Sequence, residues 1–190
     1  MIPREGYFQI AYLIPKGSDA SLRARGLDTF RAEVAALAPE AETSHLSSWD
    51  EVKLLDVKLN RLKRWHTDGL LCIGDAAHAM SPMGGVGINL AVQDAVGAAT
   101  LLAGPLRRRD VTEADLAAVR RRRLPAAAIT QAIQRAMQRA LVVPVFNGAD
   151  GTPPAAFVAL LQKLPWLSAI PARVVGVGIR PERAPDFARR

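Results

Sequence analysis

The chain has 190 residues and a formal net charge of +7, with 49% hydrophobic and 23% charged residues. These proportions are typical of a folded globular protein and exclude a largely disordered chain. The single cysteine, Cys72, excludes a disulfide framework within one chain and favours a cytoplasmic location. Histidine, cysteine and carboxylate residues do not cluster at ligand spacing, so the sequence predicts no metal site.

Two arginine runs raise the hypothesis of nucleic-acid binding: Arg108 with Arg109, and residues 120–123. They lie in Ala-rich helical segments without interleaved aromatic residues, which favours a solvated or anion-facing helix surface. The N-terminal segment lacks the pattern of a signal peptide. No uninterrupted apolar run approaches the ~20 residues that span a bilayer. We therefore predict no nucleic-acid partner and no membrane span.

The first third of the chain predicts one strand and then helix. Residues 7–14 are rich in aromatic and β-branched side chains, which is typical of a strand. Apolar side chains then recur at helical spacing from Leu22 to Leu37, with a break at Gly26 and a stop at Pro39. This pattern predicts one amphipathic helix, with or without a short helix before it.

Two further strands are predicted in the middle of the chain. Residues 52–62 alternate around Val57 and predict a strand, and residues 70–73 form a short apolar run of the kind found in a strand buried on both faces. The second strand leads directly into "GDAAHAMSPMGGVGINLAVQDA", residues 74–95, which we call the 74–95 motif.

Helices are predicted for the rest of the chain. Small and apolar residues after Gly87 predict a helix that ends at Gly104 and Pro105. Two more are predicted over 112–123, with Thr112 as N-cap, and over 125–142, and a short one over 155–164. The helix over 125–142 carries an apolar stripe that we expect to be buried: Ile129, Ile133, Met137 and Leu141.

The 74–95 motif combines features of a ligand-binding loop. Asp75 follows a predicted strand, a turn with Pro82 comes next, and three glycines, Gly84, Gly85 and Gly87, lead into a helix. A helix start carries free N–H groups and partial positive charge, and glycines let a flat ligand approach the backbone closely. A carboxylate at the strand end can accept hydrogen bonds from ligand hydroxyls. The alternative is a strand, a turn and a packed helix without a ligand, because glycine-rich turns alone are weak evidence.

The whole order of residues resembles the second flavin-binding motif of the group A flavin-dependent monooxygenases, the aromatic hydroxylases of the para-hydroxybenzoate hydroxylase type. The match has no gap: Gly74, Asp75, Ala76, Ala77, His78, Pro82, Gly84, Gly87, Asn89, Ala91 and Asp94.

The resemblance implies roles for the residues of this motif in binding FAD. Asp75 would bind the ribityl chain, and Pro82 would lie beside the isoalloxazine ring. The backbone from Gly84 to Asn89 would line the pyrimidine edge, with the amides near Ile88 and Asn89 meeting N1 and the C2 carbonyl. The predicted FAD-binding residues are therefore Gly74, Asp75, Pro82, Gly84, Gly85, Gly87, Ile88 and Asn89.

The resemblance covers most of the chain and implies an α/β fold that is α+β in this stretch. It implies a partial Rossmann-like FAD-binding domain, a remnant of the antiparallel substrate-domain sheet, and a helical C-terminal region. Tyr7 and Gln9 share one side of the first predicted strand and are candidate substrate contacts. His78 is expected to pack or hydrogen-bond, and no catalytic residue is predicted, because the reactivity comes from the flavin. The expected boundaries are 1–66 for the substrate domain, 67–106 for the FAD-binding domain and 107–190 for the helical region.

The chain departs from the family at the first FAD signature. That signature is a Gly-x-Gly-x-x-Gly turn that holds the pyrophosphate on a helix start, and the 190 residues contain no such turn. The family's Asp-Gly motif is also missing from its usual context. We therefore expect the chain to be the C-terminal portion of a longer enzyme, to bind FAD weakly or not at all alone, and not to turn over alone.

The function expected from the resemblance is that of an FAD-dependent monooxygenase. It would use NAD(P)H and O₂ to hydroxylate a small organic, by resemblance aromatic, substrate. Three alternatives stay open. The chain could belong to a non-hydroxylating flavoprotein such as a dehydrogenase or halogenase, it could be a non-catalytic remnant or partner module that complements a separately encoded N-terminal half, or its arginine helices could bind nucleic acid.

Overall fold

The computed structural model describes residues 1–146, 163, 169, 172–174 and 176–188. Contacts divide the chain into two units, Met1–Asp56 and Val57–Arg190. Helices and two small antiparallel sheets make the described part a mixed α+β structure. The three-part division at residues 66 and 106 stays a prediction. The helix predicted over 155–164 lies almost wholly outside the described residues.

The first unit begins with a small hairpin, and its elements are β1 (Ile2–Arg4), β2 (Tyr7–Gln9), α1 (Asp19–Ala24), α2 (Leu27–Leu37) and a 3₁₀ turn at Trp49–Glu51. The strand predicted over 7–14 was too long, because β2 ends at Gln9 and pairs with β1 before it. Tyr12 and Ile14 instead pack against the buried side chains of α1 and α2. Packing on the helices therefore replaces strand pairing there.

The helical prediction for the first unit is confirmed. Gly26 has φ of +90° and separates α1 from α2, a conformation that glycine adopts without steric cost. Leu22, Phe30 and Val34 form the core of this unit. Tyr12 meets Phe30 edge-on, with ring centroids 5.4 Å apart.

The second unit contains a two-residue hairpin and two long helices, and its elements are β3 (His66–Thr67), β4 (Leu70–Leu71), α3 (Val86–Arg108), α4 (Glu113–Met137), a π-helical turn at Gln138–Val142 and α5 (Val143–Phe146). The strand predicted over 52–62 is wrong, because these residues have no regular secondary structure. The strand predicted over 70–73 is also wrong in part. Only two of its residues pair, and Leu70 is 55% exposed.

Helix α3 is longer than its sequence predicts. It passes through Gly104 and Pro105 and ends at Arg108. The N–H groups of Arg109 and Asp110 donate to the carbonyls of Leu106 and Pro105, at 3.1 Å each, and these bonds hold the last turn. A proline near the end of a helix therefore did not stop it.

Helix α4 is one helix where the sequence predicts two. Its N-cap at Thr112 is confirmed: the Thr112 hydroxyl accepts from the Asp115 N–H, and the Asp115 carboxylate accepts from the Thr112 N–H. Pro125 lies inside the helix, where a proline costs about 3 kcal/mol. Buried residues continue on both sides of it and offset that cost: Leu116, Val119, Arg123, Ala126, Ala127, Gln131 and Gln134.

The buried face of α4 is not the predicted apolar stripe. Ile129 and Ile133 are 44% and 36% exposed, whereas Gln131 and Gln134 are 0% and 3% exposed. Gln131 donates to the carbonyls of residues 60 and 79, and Gln134 pairs with both backbone groups of Ser81. The irregular backbone beside α4 needs hydrogen-bond partners. Two glutamines supply them, and so they take the buried positions.

Helix α3 is long and apolar enough to cross a membrane by length and composition. It is the single such helix in the described part of the chain, and one helix of this kind is weak evidence for a membrane span. The predicted absence of a span stays a prediction.

Candidate functional site

The 74–95 motif folds as two 3₁₀ turns, Gly74–Ala76 and Met83–Gly85, that lead into α3. Gly84 and Gly85 have φ of +79° and +63°, which residues with a side chain rarely adopt. Gly85 is the N-cap of α3, and no side chain caps this helix. Glycine has no side chain, so this N-cap residue gives the first N–H groups of α3 no side-chain acceptor.

The side chain of Asp75 lies beside the start of α3. It is exposed, and no described residue forms a hydrogen bond or ion pair with its carboxylate. A Cβ atom added to Gly87 would lie 3.9 Å from Oδ1 of Asp75 and 3.4 Å from Cβ of Met80. Glycine at position 87 therefore keeps free the space between the carboxylate and the first turn of the helix.

The other predicted FAD-binding residues lie near Asp75 and Gly87 in the sequence. Pro82 is exposed and is the N-cap of the Met83–Gly85 turn. Ile88 is 78% exposed, and Asn89 is exposed and donates from Nδ2 to the carbonyl of Gly176 at 3.3 Å. Gly74 is buried under α3. The roles of these residues in binding FAD stay predictions.

Asp94 is the centre of a buried polar network below the motif. Its Oδ2 accepts from the N–H of Gly74 at 3.1 Å and lies 2.5 Å from Nε2 of His78. Its Oδ1 accepts from Nε of Arg123 at 2.9 Å. Burial alone would raise the pKa of the Asp94 carboxyl, but the hydrogen bonds from His78 and Arg123 outweigh it and leave the pKa below its ordinary value. Asp94 is therefore an ionised carboxylate inside the protein.

His78 hydrogen-bonds, as predicted, and its ring packs against Trp65 with centroids 5.1 Å apart. Both residues are almost fully buried. His78 is thus part of the support of the loop.

The prediction of a solvated or anion-facing helix surface is wrong for Arg123. This residue is 0% exposed, and besides Asp94 it binds the carbonyl of Arg180 at 2.9 Å and the carboxylate of Glu182 at 3.3 Å. Glu182 also accepts two hydrogen bonds from Arg122, at 2.8 and 2.7 Å, and these bonds hold its pKa below the ordinary value. A signal was present in the sequence, because Asp94 shares the buried face of α3 with Leu90 and Gly97.

Tyr7 and Gln9, the candidate substrate contacts, lie on β2 in the first unit. Tyr7 is 65% exposed. Oε1 of Gln9 accepts from Nε and Nη2 of Arg4, at 3.1 and 2.8 Å. Their role in substrate binding stays a prediction.

A separate open pocket of about 360 Å³ lies between residues 59–63 and α4. Four cations line it, Arg61, Lys63, Arg120 and Arg135, and none of the predicted FAD-binding residues does. The space beside Asp75 is therefore a surface cradle that is distinct from this pocket.

Comparison with known proteins places the 74–95 motif in a family. Residues 1–132 match the family model of the FAD binding domain. The chain belongs to this family. The match includes all of the 74–95 motif and continues through Arg123, so Asp94 and its partners Gly74, His78 and Arg123 all lie within the matched residues.

Curated relatives of this chain are monooxygenases. The 6-methylpretetramide 4-monooxygenase of Streptomyces rimosus is 45% identical over 120 residues, which are 62% of this chain and 29% of the relative. The kynurenine 3-monooxygenase of Stenotrophomonas maltophilia is 34% identical over 134 residues, 67% of this chain and 28% of the relative. That of Xanthomonas euvesicatoria is 48% identical over 71 residues, 37% of this chain and 15% of the relative. The chain spans less than a third of each relative's length.

These comparisons confirm the resemblance to the group A flavin-dependent monooxygenases. The FAD binding domain family also supports FAD as the cofactor. The relatives' names say nothing of individual residues, so the assignment of Asp75 and its neighbours rests on the motif and on the geometry above.

Proposed function

We propose that this chain supplies the ribityl and isoalloxazine part of the FAD site of a flavin-dependent monooxygenase. The observation that carries the proposal is the exposed, unpaired carboxylate of Asp75 beside the uncapped glycine turn of α3. A planar, oxygen-rich ring with a polyol chain fits this set, because it offers carbonyls to the amides and hydroxyls to the carboxylate. A side chain at position 87 would fill the cradle.

Each group of the cradle has a distinct task in this proposal. Asp75 accepts hydrogen bonds from the ribityl hydroxyls and so orients the chain that carries the ring. The amides near Ile88 and Asn89 face N1 and the C2 carbonyl, where the positive end of α3 stabilises negative charge by roughly 0.3–2 kcal/mol. Pro82, Gly84 and Gly85 shape the turn beside the ring without adding bulk.

The chemistry itself comes from the cofactor. Bound FAD supplies electron transfer from NAD(P)H and activation of O₂, so that one oxygen enters an organic, aromatic substrate and the other leaves as water. Tyr7 and Gln9 would contact that substrate, and Gln9, held through Oε1 by Arg4, would offer its Nε2 donor. We place this activity in the cytoplasm, in line with the single cysteine.

The pyrophosphate of FAD needs a second binding element. We propose that a Gly-x-Gly-x-x-Gly segment outside these 190 residues supplies it, in the same polypeptide or in a separately encoded half. The residues around β4 and α3 would then be the C-terminal part of a Rossmann-like domain.

A titration with flavins tests the cradle directly. NMR detects weak binding, so the isotope-labelled chain is titrated to about 1 mM ligand, a range in which binding free energies near −4 kcal/mol are measured. We expect FAD and riboflavin to shift the amide resonances of residues 75 and 84–89. Asp75→Asn should weaken the binding of riboflavin more than the binding of lumiflavin, which has the ring but lacks the ribityl chain.

Asp68→Asn is the matched control, since it neutralises another exposed aspartate in the same unit. It should bind both flavins as the wild type does. The proposed role of Asp75 is wrong if no flavin shifts these resonances. It is also wrong if Asp75→Asn weakens the binding of lumiflavin and of riboflavin equally.

Exposed apolar side chains favour one second candidate, a non-catalytic module that completes a separately encoded FAD-binding half. Ile88 and Val92 on α3 are 78% and 57% exposed; such surface often belongs to an interface. NADPH oxidation by the chain together with its N-terminal FAD-binding half distinguishes the monooxygenase from the non-catalytic module. Substrate-dependent oxidation supports the monooxygenase, and its absence in a flavin-loaded complex supports the module.

A further inference from the structure

We propose that Asp94, held by Arg123, is a positioning residue that sets the backbone of residues 74–78 so that the carboxylate of Asp75 faces Gly87. The effect of this positioning on FAD affinity rests on the proposed function, whereas its effect on the backbone of residues 74–78 does not.

One carboxylate oxygen ties both ends of the turn that carries Asp75. Oδ2 of Asp94 receives the N–H of Gly74 and meets Nε2 of His78, at 3.1 and 2.5 Å. The carbonyl of Gly74 in turn accepts from the N–H groups of Ala77 and His78, at 2.9 Å each. Because the turn is closed at both ends, the direction of Asp75 is determined by the position of Asp94.

Asp94 and Gly87 also share a face of the same helix. They are seven residues apart in α3, and seven residues are close to two full helical turns. A turn anchored to Asp94 therefore extends along the helix face toward Gly87. This relation accounts for the 3.9 Å separation between the Asp75 oxygen and the Cβ position of Gly87.

Arg123 holds Asp94 from the opposite side. It reaches Oδ1 of Asp94 across a space that Gly97 leaves open, since a Cβ at position 97 would lie 3.1 Å from Cδ of Arg123. An apolar pair could pack at such a site with no loss of stability. An ion pair instead demands one geometry, in which Oδ1 of Asp94 binds Arg123 of α4 and Oδ2 binds the loop.

Asp94→Asn and Arg123→Lys test the inference. Asparagine has the same size but one acceptor oxygen, so it cannot serve Arg123 and the loop together. Val119→Ala is the control, because Val119 is fully buried in a different cluster of the same unit. Amide hydrogen exchange is measured in the flavin-free chain, with urea added so that all variants have equal global stability.

We expect exchange at residues 74–78 to be at least about tenfold faster in Asp94→Asn than in Val119→Ala, as the loss of a charged hydrogen bond implies. Arg123→Lys keeps the charge, so its exchange at residues 74–78 should lie between that of the wild type and that of Asp94→Asn. If flavin binds the wild type, Asp94→Asn should weaken that binding by a similar factor, while folded Val119→Ala should bind normally.

Equal exchange at residues 74–78 in Asp94→Asn and Val119→Ala would overturn the inference, and so would unchanged flavin affinity in Asp94→Asn. If Asp94→Asn does not fold, exchange at residues 74–78 is compared between Arg123→Lys and Val119→Ala instead. Equal exchange in these two variants would overturn the inference. Faster loop exchange in a chain that binds no flavin would leave the positioning role standing and refute the proposed function.

Discussion

Two aspartates of the 74–95 motif stand in opposite surroundings. Asp75 is exposed, and no described residue pairs with its carboxylate, whereas Asp94 is 0% exposed and has partners on both oxygens. Both belong to one short motif, yet one is available to a ligand and the other is fully used by the fold. The comparison teaches that, in this motif, the loop that leaves one carboxylate exposed is held in place by a second carboxylate that is buried.

The largest expected effect comes from breaking the buried pair. Arg123→Met keeps most of the side-chain volume but leaves the buried charge of Asp94 with the Gly74 N–H and His78 as its remaining partners, and removing one partner of such a pair costs about 3–5 kcal/mol. Urea unfolding measures this loss. Arg121→Met, in the same arginine run but exposed, should change stability by no more than about 0.5 kcal/mol. Equal losses in the two variants would contradict the special position of Arg123.

A smaller effect is expected from the glycine where the loop meets α3. Gly74 has φ of +57°, and a Cβ there would lie 3.0 Å from Cβ of Ala91. Gly69→Ala isolates the backbone strain, since φ is +67° with nothing within 4 Å, and should cost roughly 1–2 kcal/mol. Gly74→Ala should cost a further 1–3 kcal/mol or so for the steric clash.

Thermal or urea unfolding of both alanine variants measures this difference. The double variant Gly74→Ala, Ala91→Gly should relieve the clash and keep the strain, and it should add the cost of roughly 0.5–1 kcal/mol for a glycine inside a helix. Indistinguishable losses in Gly69→Ala and Gly74→Ala would show that the close packing of the loop on α3 is not important.

The smallest expected effect is a dependence on acid, because protonation leaves the side chain of Asp94 in place. Its pKa in the folded state lies below the unfolded value of about 3.8. The stability it contributes is therefore complete above that value and is lost as the pH falls from there through the lower folded pKa. The free energy of unfolding from pH 7 to pH 2 should fall less steeply in Asp94→Asn than in the wild type, and equal slopes would refute this.

Local patterns predicted some elements correctly. The helices α1 and α2 and their break at Gly26, the N-cap of α4 and the helix after the glycine turn all follow from signals within a few residues. The order of residues in the 74–95 motif also identified the family that the comparisons confirmed. These features depend on backbone preferences and short-range hydrogen bonds, which a sequence displays directly.

Other elements were predicted wrongly because distant residues decide them. The apolar stripe at Ile129 and Ile133 is exposed because Gln131 and Gln134 satisfy a loop some 50 to 70 residues away. Pro125 stays inside α4 because the buried row continues past it. The strand over 52–62 found no partner among the described residues.

By itself, the sequence determined the family, the glycine turn and the candidate carboxylate Asp75, since these depend on residue types in fixed order. Only the tertiary structure decided which charges are buried. Whether an arginine of the run 120–123 faces water or Asp94 depends on how α4 packs on α3, and a fully buried cation is stable only where packing brings it a carboxylate.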